Sequence, residues 1–72
     1  MRDRIELTTT SDALEFVSII SKLDGRIYLE DGLGQYKVSA CSFLAAICTM
    51  EWDDVYVVSE NNIYKDIAKF IK

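Results

Sequence analysis

Thr8, Thr9, Thr10 and Ser11 form an unbroken run of hydroxyls, with Asp12 directly behind them, at the mouth of an apolar helical pattern. A helix start leaves backbone N–H groups without partners. Small hydroxyls there either cap those groups or help hold an anion such as phosphate. The other reactive side chains are few. Cys41 and Cys48 are the only thiols, and there is no histidine at all. That removes the commonest general base, the phosphohistidine acceptor and the most versatile metal ligand. Two cysteines alone make a poor zinc site, which usually needs four soft ligands. Glu51, Asp53 and Asp54 could approach a hard cation, but the expected role of such a trio is a solvated lead into a strand. No catalytic residue, metal site or cofactor is expected, and the chain does not read as an enzyme.

Seventy-two residues make one domain, 1–72. A chain this short buries only about 60% of the surface exposed on unfolding, so its stability margin is thin. Half the residues are apolar, enough for a packed core. The net charge of −4, without any block of like charge, argues against a nucleic-acid partner. No apolar run reaches the roughly 20 residues of a membrane span, so no membrane insertion is expected. In a helix, Cys41 and Cys48 would stand roughly 10 Å apart, beyond the reach of a disulfide. Two free thiols without a leader peptide point to the cytoplasm.

The elements follow from periodicity. "RIEL" (4–7) alternates as a half-buried strand. "SDALEFVSIISKL" (11–23) places Leu14, Val17 and Ile20 on one stripe, widened by Phe16, Ile19 and Leu23. Ser11 or Asp12 is its expected cap, with Glu15 completing a capping-box-like pair, and Gly25 is its left-handed stop. "RIYLE" (26–30) and "QYKVS" (35–39) make a hairpin in which Gly32 and Gly34 take positive φ. Residues 41–50 read as a helix and 53–60 as a central strand. Residues 61–72 form a closing helix with Ile63, Ile67, Phe70 and Ile71 on one face and Asn61 or Asn62 as its cap. Trp52 is expected to plug the core's edge, the alternative being a binding aromatic. The tyrosines fit strand and helix-rim positions and lack the paired pattern of an RNA-binding sheet. The order βαββαβα implies an α+β fold, one antiparallel sheet with three helices on one face. Two topologies compete for it, ferredoxin-like and open-faced sandwich.

The most informative segment is "VSACSFLAAICTM", residues 38–50, which contains no charge. One narrow helical stripe cannot bury Phe43, Leu44, Ile47 and Met50 together with Cys41, Ala45 and Cys48. Apolar surface is therefore expected to stay exposed, and that marks an interaction site. The competing arrangement turns only alanine and cysteine outward.

With this segment the chain resembles the HPr family, the small phosphocarriers of the bacterial sugar phosphotransferase system. The likeness runs through "ALEFVSIISKLDGRIYL", the hairpin, a short second helix entered through "VSACSFLAAI", and "DDVYVVSE" before a last helix. It implies an open-faced β-sandwich, four antiparallel strands in the order 1-4-2-3 under three helices. It also implies that partners dock on the second helix, where Phe43, Leu44, Ile47 and Cys48 match the family's docking positions. Ser42 matches the regulatory phosphorylation site of many Gram-positive members, although Cys41 stands where their lysine would be. The departure comes before the first helix. The family's phosphoryl acceptor is a histidine there, followed by a small residue, Arg and Pro, and this chain has "TTTSDALEF". A threonine phosphoester lacks the transfer potential of a phosphoramidate, so phosphohistidine carriage is excluded. The expectation is a non-catalytic, protein-binding or regulatory role through the second helix, with phosphotransferase-system proteins as partners. The alternative is a homodimer paired through that same helix.

Overall fold

The computed structural model describes all residues, 1–72. Four strands, β1 (Arg2–Ile5), β2 (Ile27–Asp31), β3 (Lys37–Ser39) and β4 (Val55–Ser59), form one antiparallel sheet in the order β1-β4-β2-β3. Helices α1 (Thr10–Ile20), α2 (Phe43–Thr49) and α3 (Tyr64–Ile67) complete the chain, α3 running on into a 3-10 turn at Ala68–Phe70. This is the open-faced α+β arrangement, and the ferredoxin-like alternative is gone. Pairing puts Ile5 opposite Val55, and Leu29 opposite both Val57 and Val38. Because side chains alternate across a pleat, Ile5, Ile27, Leu29, Val55 and Val57 line the buried face beneath the helices.

The first strand lies two residues earlier than its pattern placed it, at 2–5 instead of 4–7. The shift is even, so the inward set is the same: Ile5 and Leu7 are both buried, Leu7 after the strand has ended. The chain's end takes over there. Glu6 N–H donates to Phe70 O at 2.9 Å, Lys72 N–H donates to Arg4 O at 3.0 Å, and Ile71 bridges to Ile5. That segment covers the outer edge of β1, while the other edge strand, β3, is kept to three residues. Both are ways to blunt an exposed sheet edge. Closing on β1 also shortens α3 to a single turn, so the closing helix expected over 61–72 is much reduced. Its first turn starts from Ile63, with Asn62 Oδ1 accepting from Tyr64 N–H at 3.0 Å.

Helix α1 presents a different stripe from the one its sequence suggested. Ala13, Phe16 and Ile20 are wholly buried, whereas Leu14 is 59% exposed and Val17, Ile19 and Leu23 sit at the rim. The ring of Phe16 meets Phe70 edge-on, centroids 5.4 Å apart, a favoured aromatic geometry. Position 13 lies at the core, where a small side chain lets the helix come close. Gly25 ends the connection after α1 at φ +91°, and a Cβ there would stand 2.9 Å from Asn61 Nδ2. In the hairpin only Gly34 has positive φ. Gly32 does not, and the turn is held by Asp31 Oδ1, which accepts from Gln35 N–H at 2.7 Å and Tyr36 N–H at 3.1 Å. An aspartate gripping the backbone beyond it performs the task expected of a second left-handed glycine.

Candidate functional site

Both longer helices start from a hydroxyl residue, Thr9 for α1 and Ser42 for α2. At α1 the cap is Thr9, with extended backbone, and its Oγ1 accepts from Asp12 N–H at 3.1 Å. Asp12 reaches back, Oδ2 accepting from Thr8 N–H at 3.1 Å and from Thr8 Oγ1 at 2.9 Å. This corrects the expected caps. Ser11 and Asp12 lie inside the first turn, and the capping box is Thr9 with Asp12 in place of Asp12 with Glu15. The hydrogen bonds from the Thr8 hydroxyl and the Thr8 N–H hold the Asp12 carboxyl below its usual range. The N-terminal end of α1 therefore already holds an anion, its own aspartate.

At α2 the cap is Ser42, exposed, with Oγ accepting from Ala45 N–H at 3.2 Å. No acidic residue stands in the first turn. The helix buries Ala46 and Thr49, and Thr49 satisfies its hydroxyl by donating to Ala46 O at 2.7 Å. Phe43 and Ile47 are half-buried at the margin of the core. Leu44 is 75% exposed, and Cys48, one turn on, is exposed as a free thiol, as is Cys41. The four residues expected to dock a partner thus divide into two pairs. Leu44 and Cys48 face outward, while Phe43 and Ile47 share themselves between core and surface. The arrangement in which only alanine and cysteine face outward is not found, because Leu44 is outside.

The uncovered face of the sheet is polar and internally paired. Arg2 lies 4.0 Å over the Tyr56 ring and pairs with Glu30 at 3.3 Å. Lys37 lies 4.7 Å from the Tyr28 ring centroid, and Arg4 pairs with Asp54 at 2.7 Å. Exposed pairs of this kind contribute little stability, but they occupy the sheet's cations.

One grouping escaped the sequence reading. The hairpin carries Leu33 and Tyr36 to the turn after α2, where Tyr36 lies against Trp52 with ring centroids 6.3 Å apart. Trp52 does pack on the core, as a plug should, and its other surface lines an acidic cleft. Tyr36 alternates with the strand pattern like any edge tyrosine, so nothing in its spacing pointed to a partner sixteen positions away. No group of three or more His, Cys, Asp or Glu side chains is gathered as a metal site. No helix is long and apolar enough to cross a membrane.

No family model, curated protein or solved structure matches the chain.

Proposed function

We propose that this chain is an HPr-like protein without phosphocarrier chemistry, which works in the cytoplasm by docking a protein partner through α2. The observation that carries the reading is Leu44, 75% exposed at the centre of a charge-free segment, with Cys48 beside it and Phe43 and Ile47 at its rim. Large apolar side chains held out on a short, well-capped helix suit a partner's groove. The sheet order β1-β4-β2-β3 is the one the family likeness implies, and it supports the assignment. Carriage itself lacks a chemical group, since the chain has no histidine. At the start of α1, where the family's acceptor would stand, a carboxylate repels an incoming phosphate. Ser42 has a structural role as the α2 cap, and an exposed hydroxyl at a helix start also suits phosphorylation, as the family's regulatory serine does.

The test is titration of the isotope-labelled chain with the general phosphotransferase enzyme of its own organism, with phosphoenolpyruvate present. Amide shifts should gather on residues 42–48, no acid-labile phosphate should appear, and Leu44→Glu should abolish binding without unfolding the domain. Stoichiometric acid-labile phosphate would overturn the loss of carriage, and absence of binding would overturn the partner class. Sedimentation at micromolar concentration separates this role from pairing of α2 with its own copy. A dimer that Leu44→Glu dissociates would replace the proposal.

A further inference from the structure

A cleft of about 530 Å³ opens between the β2–β3 hairpin and the turn after α2. Its apolar surface is the Tyr36–Trp52 pair, flanked by Leu33 and Tyr56. Every charged side chain that lines it is a carboxylate: Asp31, Glu51, Asp53 and Asp54. Asp54 is answered by Arg4, and one oxygen of Asp31 is taken by the hairpin backbone. Glu51 and Asp53 belong to none of the chain's ion pairs. Four carboxylates against one guanidinium concentrate most of the chain's −4 charge at this end.

The same molecule shows what its surface aromatics take up. Tyr56 carries Arg2 and Tyr28 carries Lys37, each supplied by a neighbouring strand. Tyr36 and Trp52, although they stand among more carboxylates, carry no cation of their own chain. An aromatic face beside a carboxylate is the environment that attracts a planar guanidinium, which stacks on the ring and forks to the acid. The walls also indicate how the cation arrives. Leu33 is 81% exposed and Tyr36 is 62% exposed, so they cannot enclose a free small molecule, whereas small-ligand sites bury most of their occupant. A side chain held by its own backbone needs no such enclosure.

We propose that the cleft between the hairpin and the α2–β4 turn receives an arginine side chain from a basic segment of a partner protein. Its guanidinium lies against Tyr36 and Trp52, and Glu51 and Asp53 supply the opposing charge. This goes beyond docking through α2 and does not depend on it, since neither Leu44 nor Cys48 lines the cleft.

The probe is the capped peptide acetyl-Gly-Arg-Gly-Arg-Gly-amide, titrated into the intact chain while the Trp52 indole N–H and the backbone amides are followed by NMR. The expected result is saturable shifts at Trp52, Tyr36 and Leu33, with affinity falling as salt is raised. Tyr36→Ala, and separately the pair Glu51→Gln with Asp53→Asn, should each weaken binding about tenfold. Both variants alter exposed side chains, so the fold is retained and their amide spectra report it. Leu44→Glu should leave the peptide affinity unchanged. Shifts that never saturate, or an affinity indifferent to both cleft variants, would overturn the proposal. So would guanidinium chloride saturating the same signals at the peptide's concentration, because the site would then be one for a free cation.

Discussion

Helices α1 and α2 begin alike and pack differently. Each has a hydroxyl cap accepting from the N–H three residues on, Thr9 from Asp12 and Ser42 from Ala45. Each turns a small residue fully inward, Ala13 in one and Ala46 in the other. In α1 the inward stripe then continues through Phe16 and Ile20, so its largest side chains are spent on the core. In α2 the second fully buried residue is Thr49, a small one, and the large residues are left to the rim and the outside. The starts differ as well, since α1 carries Asp12 in its first turn and α2 has no acid there. A helix that anchors the fold and a helix that leaves its large apolar residues at the rim and outside can share the same local grammar. What separates them is the phase at which large residues fall relative to the sheet.

The comparison is broken most directly by truncating one large residue from each helix. Phe16→Ala should cost about 3–5 kcal/mol, because it empties a fully buried site. A domain of this size is stable by roughly 4–11 kcal/mol, so a denaturant melt of the variant should begin close to native conditions. The caps come next. Thr9→Ala and Ser42→Ala should each cost about 1 kcal/mol, read from the same melts. An intact midpoint in Thr9→Ala would mean that Asp12 holds the turn without it.

Acid provides a finer division between the two helix starts. The Asp12 carboxyl has a folded pKa below its unfolded one, through its bonds to Thr8. Its stabilising contribution is therefore complete above about pH 4 and is lost as pH falls through the lower, folded value. Asp12→Asn should flatten that acid limb of the stability curve, while Ser42→Ala should leave its shape unchanged. The smallest effect belongs to the outward face of α2. Leu44→Ala should move stability by less than about 0.5 kcal/mol, and a larger loss would mean that Leu44 supports the fold.

Much of the fold was legible in the residues, for identifiable reasons. The alternation over 26–30 and 53–60 became strands at 27–31 and 55–59, and the helix read over 41–50 forms at 43–49 with apolar side chains to spare, whereas α1 ends at Ile20, before Gly25. The α1 stripe was misplaced because Leu14, Phe16, Val17, Ile19 and Ile20 offer more than one helical phase. Hydrophobicity ranks Leu14 above Ala13, but the buried stripe runs through the alanine. The cap moved to Thr9 for a related reason. With four hydroxyls and an aspartate in succession, any of several could close the helix, and it is Thr9 whose extended backbone lets its side chain accept from Asp12 N–H.

The sequence by itself determined the order of the elements and the absence of any imidazole to carry a phosphoryl group. It also determined that residues 38–50 have more apolar side chains than one stripe can bury. Those are matters of residue type and local period, which need no partner across the fold. Only the tertiary structure decided which phase of α1 faces the sheet, that Leu44 stays outside, and that Tyr36 meets Trp52 among four carboxylates. Each of these depends on where separate elements come to rest against one another. Periodicity along one element specifies a repeat, and the packing of its neighbours sets the phase.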